Sequence, residues 1–140
     1  MEDLFDYNER LVRITDRWGK TFEGVADFYP SEYGMHEFGV EEDSLCVNNY
    51  MLFQKDIVKV ELLPTFEEAV AAIPPGRYRH FKGGEYRVLS IARHSETLEA
   101  MVVYQALYGE EGVWVRPAYM WTETVYRDGK KVQRFQRMEE

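Results

Sequence analysis

Apolar and polar residues alternate along most of the chain with a period of two, which is typical of half-buried β-strands. In one such stretch, Phe22, Ala26 and Phe28 share one face while Glu23 and Asp27 share the other. Glycine, asparagine and aspartate residues separate these stretches, as turns require, and they predict a hairpin loop at Asp16–Lys20 and a turn at Asn48-Asn49. The predicted strands are Leu11–Thr15, Phe22–Tyr29, Ser44–Tyr50, Met51–Phe53 and Ile57–Leu63, then Arg77–Phe81, Tyr86–Arg93, Leu98–Tyr108, Val113–Arg116, Thr122–Tyr126 and Lys131–Phe135. The pattern predicts an all-β fold.

The segments between the strands predict the organisation of the chain. Pro30–Asp43 is expected to be a long acidic insertion, and Asp128-Gly129 suits a type I′ turn in a terminal hairpin. Thr65 and Glu68 fit a capping box at the start of a short helix, since alanines follow them and two prolines stop it. We therefore predict a small barrel of the SH3 or Sm kind over residues 1–64, a linker helix over 65–75 and a second SH3-like domain over 76–140.

Composition adds limits on environment. The chain has 140 residues, of which 45% are hydrophobic and 15% aromatic, as expected of one or two globular domains. Cys46 is the lone cysteine, so no internal disulfide can form, and we expect it to be a small core residue rather than a reactive thiol. The N-terminus is acidic and no apolar run is long enough to span a bilayer. These features predict a cytoplasmic protein without a membrane partner.

Charge is distributed unevenly along the chain. The net charge is −8, and the first 64 residues carry 14 acidic against 6 basic side chains, whereas residues 75–140 carry 9 against 11. An acidic first half would repel a phosphate backbone. An anion would therefore bind the second half more readily, and the first half is expected to mediate self-association or contact a protein partner.

The second half resembles a family of small bacterial and phage domains of unknown function. The residues that carry the resemblance are Gly76–Gly83, Tyr86–Val88, Ala92–Thr97, Val102–Tyr104, Leu107–Gly109, Trp114–Pro117 and Met120-Trp121. The resemblance implies an SH3-like β fold over about half of the chain. It implies no activity, because the family has none established.

The first half is loosely similar to Sm-like domains. Ile14–Gly24 is similar to the first Sm motif, in which a strand, a turn and a Phe-x-Gly strand follow one another, and Asp56–Glu61 fits the end of such a domain. The Arg-Gly pair that helps to hold RNA in Sm rings is missing, and Asn48-Asn49 stands roughly in its place. This departure and the negative charge argue against RNA binding.

Several residues of the second half could carry chemistry. His80, His94 and Glu96 are of the types that bind zinc or serve as acid and base, although no motif with metal-ligand spacing is present and a turn would also explain 94–97. Trp114 and Arg116 alternate with Val113 and Val115, which are expected on the core face. Trp114 and Arg116 could then hold a base and a phosphate, or form a surface clamp.

A ligand pocket is a second possibility for the predicted strands of the second half. Tyr78 and His80 share a strand face, with Tyr104 expected across from them. Basic residues could add to this pocket or form a solvated face: Arg79, Lys82, Arg87 and Arg93.

The leading hypothesis is a non-enzymatic binding protein for a small anionic or polar ligand such as a nucleotide. Its expected ligand-binding residues are His80, His94, Glu96, Tyr104, Trp114 and Arg116. No cofactor, metal or catalytic residue is assigned. The alternatives are a nucleic-acid-binding Sm-like protein and a small enzyme acting on a nucleotide or sugar through His80, His94 and Glu96.

Overall fold

The computed structural model of the protein describes residues 3–139. They form two compact units: one contains the residues up to Leu63 together with Ser95–Leu98, and the other contains Pro64–His94 and the residues from Glu99 onward. Antiparallel strands dominate both units, which confirms the all-β prediction. That the strands of each unit close into a barrel remains a prediction, and so does the three-part domain division.

The first unit contains two three-stranded antiparallel sheets. The strands and the helix between them are β1 (Leu11–Asp16), β2 (Thr21–Val25), β3 (Asp27–Tyr29), α1 (Ser31–Phe38), β4 (Ser44–Val47), β5 (Tyr50–Phe53) and β6 (Ile57–Leu62). One sheet has the order β2-β1-β6 and the other β3-β4-β5. The alternation along β1 buries Val12 and Ile14 completely, and these join Leu45 and Val47 in one core.

Two turns of the first unit follow the predicted chemistry. Asp16 is buried, and its carboxylate accepts the backbone N–H groups of Trp18 and Lys20, which leaves Gly19 at a φ of 83°. Asn48 and Asn49 both take positive φ between β4 and β5. Asparagine tolerates this left-handed region better than most residues, which explains why the turn lies there.

One expectation for the first unit is wrong, and one segment contains a helix that the sequence pattern did not predict. The predicted strand Phe22–Tyr29 breaks at Ala26, so that β2 and β3 belong to different sheets. Ala26 is buried and its backbone pairs with Glu9 and Arg10 instead of continuing either ladder. The acidic insertion Pro30–Asp43 contains α1, which ends at Gly39 with a left-handed φ of 71°.

The second unit begins with the predicted helix. This helix, α2 (Phe66–Ala72), starts at Thr65 with the full capping box to Glu68. Ala69 and Ile73 are buried in the core of the same unit. The helix therefore packs on the core of the second unit.

A five-stranded antiparallel sheet forms the body of the second unit, in the order β10-β9-β8-β7-β13. The elements are β7 (Gly76–His80), β8 (Glu85–Arg93), β9 (Ala100–Ala106), β10 (Val113–Pro117), α3 (Ala118–Thr122), β11 (Thr124–Arg127), β12 (Lys130–Gln133) and β13 (Phe135–Arg137). β11 and β12 form the predicted hairpin, with positive φ at Asp128 and Gly129. No helix of residues 3–139 has the length and apolar character needed to cross a bilayer.

Candidate functional site

One side of the five-stranded sheet carries most of the aromatic residues of the second unit. Tyr78 pairs with Tyr86, Val88 with Tyr104, Tyr104 with Trp114, Val102 with Arg116, and His80 with Phe135. Directly opposed residues on neighbouring antiparallel strands lie on the same side of a sheet. We call this side the aromatic face, and it consists of Tyr78, His80, Tyr86, Tyr104, Trp114, Arg116 and Phe135.

Trp121 of α3 anchors the aromatic face. Its ring stacks on Phe135 with centroids 3.7 Å apart, and it meets the rings of Tyr78 and Tyr104 at 5.5 and 5.1 Å. It is 2% exposed. Packing of this kind holds the strands β7, β9 and β13 at a fixed separation, so the face is rigid where Trp121 lies.

Arg116 projects over this face. It is half-buried, and its guanidinium carbon lies 5.5 Å from the centre of the Phe135 ring. Within residues 3–139, no carboxylate lies at ion-pair distance from Arg116. Other arginines of the unit do have carboxylate partners, namely Arg77, Arg79, Arg93 and Arg134. Arg116 therefore combines partial burial with a charge that no acidic side chain of the described chain balances.

His80 lies beside Arg116. Its ring packs against Phe81 at 4.5 Å and Phe135 at 4.9 Å. Burial lowers the pKa of His80 below its usual 6.5, and the positive charges of Arg134, Arg116 and Lys82 lower this pKa further. The Nδ1 atom accepts the backbone N–H of Lys82 at 3.1 Å, which leaves the proton on Nε2. At neutral pH His80 is thus an uncharged hydrogen-bond donor.

A pocket of about 400 Å³ opens on the aromatic face. Four aromatic rings and the loop Gly109–Gly112 line it; the rings are those of Tyr86, Tyr104, Tyr108 and Trp114. Glu110 and Glu111 are the charged residues in its lining. The pocket offers flat apolar walls at one end of the face and carboxylates at its rim.

Two tyrosines of the pocket are joined through their hydroxyl groups. The hydroxyl oxygens of Tyr86 and Tyr108 lie 2.6 Å apart. Burial, followed by this hydrogen bond, raises the pKa of Tyr86 to about 12. Tyr86 consequently stays protonated at neutral pH and can position a ligand but is a poor proton acceptor.

A second depression, of about 300 Å³, lies against His80. Arg79 and Arg127 line it together with Gln133 and Gln136, and no acidic residue is part of its lining. Arg127 also donates a hydrogen bond to the backbone carbonyl of Phe81. His80 therefore borders a basic surface in addition to the aromatic face.

The structure brings four of the six expected ligand-binding residues together. His80, Tyr104, Trp114 and Arg116 all belong to the aromatic face. His80 pairs with Gly84 just before β8, whereas His94 follows the end of β8. The nine residues of β8 therefore separate the two histidines, which lie at opposite ends of this strand.

The acid–base constellation is therefore not assembled from His80 and His94. Glu96 is exposed and belongs to Ser95–Leu98, which is grouped with the first unit. Residues 3–139 hold no group of three His, Cys, Asp or Glu side chains that could hold a metal ion. Cys46 is half-buried in β4, and burial, followed by the charge of Asp27, raises the pKa of its thiol. A raised pKa leaves little of the reactive thiolate at neutral pH.

One further expectation for this region is wrong. Val113 and Val115 were expected on the core face, but both are exposed and lie on the side of the sheet opposite the aromatic face. Arg79 and Arg87 also lie on that opposite side, where Glu85 pairs with Arg79. Neither lines the pocket of about 400 Å³, but Arg79 lines the second depression together with His80.

Sequence reasoning missed several residues of the site. Tyr86 shares its face with Val88 by simple alternation, so its position was accessible from the strand pattern. Phe135 and Trp121 were not accessible in this way. Phe135 reaches the face because β13 pairs with β7, and Trp121 because α3 folds onto β9 and β10.

Comparison with known proteins identifies the second unit. Residues 76–137 match the model of a family described as "Protein of unknown function (DUF1653)". A crystal structure of a protein belonging to DUF1653 from Bordetella bronchiseptica is 38% identical, and the alignment covers 49% of this chain and 91% of that chain with a TM-score of 0.46. No curated protein matches the chain.

The second unit therefore contains a DUF1653 domain over residues 76–137. This confirms the expected resemblance of the second half to a family of unknown function. The resemblance of the first half to Sm-like domains lies outside the matched residues and remains a prediction.

Proposed function

We propose that the protein is a non-enzymatic binding protein whose second unit holds a small ligand with an anionic group and a planar part, such as a nucleotide. The anionic group would bind Arg116, with His80 donating through Nε2. The planar part would lie in the pocket between Trp114 and the tyrosines. Self-association through the acidic first half is kept as a separate prediction.

The observation that carries the proposal is the half-buried Arg116 without a carboxylate partner among residues 3–139. Charges that leave water are normally paired, because their desolvation is otherwise not compensated. An anionic ligand would supply that pairing, and a guanidinium suits phosphate or carboxylate through two parallel hydrogen bonds. The neutral state of His80 supports the same assignment, because it places a donor there without adding repulsion to Arg116.

The pocket supports the second part of the ligand. Stacking of a flat ring on aromatic side chains stabilises binding by about 1–3 kcal/mol per ring. Glu110 and Glu111 at the rim would accept hydrogen bonds from amino or ring N–H groups of the ligand. The site thus favours a ligand with one anionic end and a hydrogen-bond-donating planar end over a ligand that is anionic throughout.

Native mass spectrometry of the protein as purified from cells, followed by release of bound small molecules, tests the proposal directly. The four ribonucleoside monophosphates and inorganic phosphate are then titrated while ¹H–¹⁵N NMR follows the indole of Trp114 and the Nε of Arg116. We expect shifts at both groups with at least one nucleotide, and weaker shifts with phosphate alone.

Matched variants separate the site from general electrostatics. Arg116→Gln removes hydrogen bonds to a charged group that stabilise binding by about 1.5–3 kcal/mol, so the affinity is expected to fall roughly 10- to 150-fold. Arg77→Gln removes the same charge on the opposite side of the sheet and should leave the affinity unchanged. Equal losses in both variants, or no shift with any probe, would contradict the proposed site, and turnover of the nucleotide would contradict a non-enzymatic role.

A further inference from the structure

β10 is an apolar strand at the outer edge of the five-stranded sheet. Val113, Trp114 and Val115 are 57%, 61% and 61% exposed, and β10 has β9 on one side only. Proteins usually protect such edges with charges, prolines or covering segments, because an open apolar edge pairs with other strands. The ligand site explains Trp114, but it does not explain two exposed valines on the opposite side of the sheet.

The hydrogen bonds between β9 and β10 show which backbone N–H and C=O groups of β10 point away from the sheet. The N–H of Ala106 donates to the carbonyl of Gly112 at 3.0 Å, and these two residues are opposite each other in the β9–β10 register. Backbone groups alternate in direction along a strand, so Trp114 and Arg116 also point theirs towards β9. The N–H and C=O groups of Val113 and Val115 therefore point away from the sheet. Pro117 has the same outward parity, so its missing N–H interrupts no bond to β9.

We propose that a second copy of this chain pairs with β10 in antiparallel fashion about a two-fold axis at Trp114. Val113 then lies opposite Val115 of the second copy, and each pair exchanges its outward N–H and C=O groups. Trp114 lies opposite Trp114 of the second copy in the closer, non-hydrogen-bonded position, where aromatic pairs interact well. All three exposed apolar side chains of the edge are thereby covered by the same three residues of the second copy.

Charge complementarity favours a second copy in this register. Arg116 comes opposite Gly112 of the second copy, next to the acidic Glu110-Glu111 of that chain. The two-fold axis repeats this contact, and no like charges are opposed. Pro117 ends the pairing because it has no N–H to donate. An isologous pairing of this kind closes on itself and does not propagate into fibres.

The pairing also bears on the ligand site. Trp114 forms part of the pocket wall, so the second copy would bring its own Trp114 to the rim of each pocket. The contact is a single short strand pair, and small interfaces of this type are generally transient. Association is therefore expected to be reversible and to depend on protein concentration.

Sedimentation equilibrium over a wide concentration range tests the proposal. The weight-average mass of the natural chain should rise from 16.6 kDa towards twice that value as concentration increases. The double variant Val113→Lys, Val115→Lys places lysines opposite lysines and should remain at the monomer mass. The charge-swapped variant Val113→Lys, Val115→Glu places Lys opposite Glu in the proposed register and should dimerise again, with a dependence on salt.

The charge-swapped variant also reports on the register. If Val115 lay opposite Val115 of the second copy, this variant would oppose two glutamates and stay monomeric. Both variants lie on the side away from the pocket, and circular dichroism spectra like that of the natural chain, recorded at concentrations at which it is monomeric, serve as fold controls. A natural chain that is monomeric throughout, a dimer that survives the double lysine variant, or a charge-swapped variant that stays monomeric would each overturn the proposal.

Discussion

Replacement of Arg116 by methionine tests whether this residue serves ligand binding or the stability of the fold. Methionine retains most of the apolar stem of arginine and removes the charge. The lost interaction is that of the guanidinium over the Phe135 ring at 5.5 Å, which stabilises by about 0.5–1 kcal/mol at exposed sites. The desolvation of the unpaired charge is removed at the same time and acts in the opposite direction. We therefore expect the free energy of unfolding to change by about 1 kcal/mol or less.

Urea denaturation of the natural chain and of Arg116→Met, followed by fluorescence, measures this change. NMR titration of His80 supplies an independent reading of the same charge. Since Arg116 is one of the groups that lower the pKa of His80, this pKa should rise in the variant but stay below 6.5, because burial, Arg134 and Lys82 still lower it. Loss of about 3–5 kcal/mol, the cost of breaking a buried ion pair, would refute the reasoning that Arg116 lacks a structural partner. An unchanged pKa of His80 would refute the proximity of the two side chains.

Three further predictions concern stability. Trp121→Ala should lower the free energy of unfolding by about 3–5 kcal/mol in urea denaturation, because it removes a buried ring stacked on Phe135. Gly34→Ala would bring a Cβ to 2.5 Å from the backbone oxygen of Val40, so the variant should lose about 1–3 kcal/mol, and an unchanged melting temperature would contradict this packing. Below about pH 7, the unfolded chain protonates His80 before the folded chain does, because folding lowers this pKa from 6.5. Stability should thus fall as the pH drops through the folded pKa of His80, and it should fall less steeply in His80→Gln.

Local chemistry made much of the secondary structure predictable. The capping box at Thr65 and the turns at Asn48-Asn49 and Asp128-Gly129 depend on neighbouring residues only, and the structure contains each of them. The same holds for the alternation that buries Val12 and Ile14 on one face of β1. These features need no knowledge of which strand lies beside which.

Errors arose where a pattern had two local interpretations. Val113-Trp114-Val115 is apolar throughout, so either side of this strand could face the core, and the sequence analysis placed the valines there. The register with β9 places Trp114 opposite Tyr104 instead, which puts the valines on the other side of the sheet. α1 was missed because only Gly34 of its eight residues is buried, so no buried apolar stripe marks the helix. α3 was missed because five residues show no helical period.

By itself, the sequence determined most of the strands, the turns, the helix α2 and four of the residues that meet on the aromatic face. These depend on φ/ψ preferences and on the two-residue period of side chains, which act over a few neighbouring positions. Only the tertiary structure decided that β13 lies beside β7 and that α3 covers β9, so that Phe135 and Trp121 join His80, Tyr104 and Arg116. Strand order depends on contacts between residues that are distant in the chain, and no local preference of either strand specifies its neighbour.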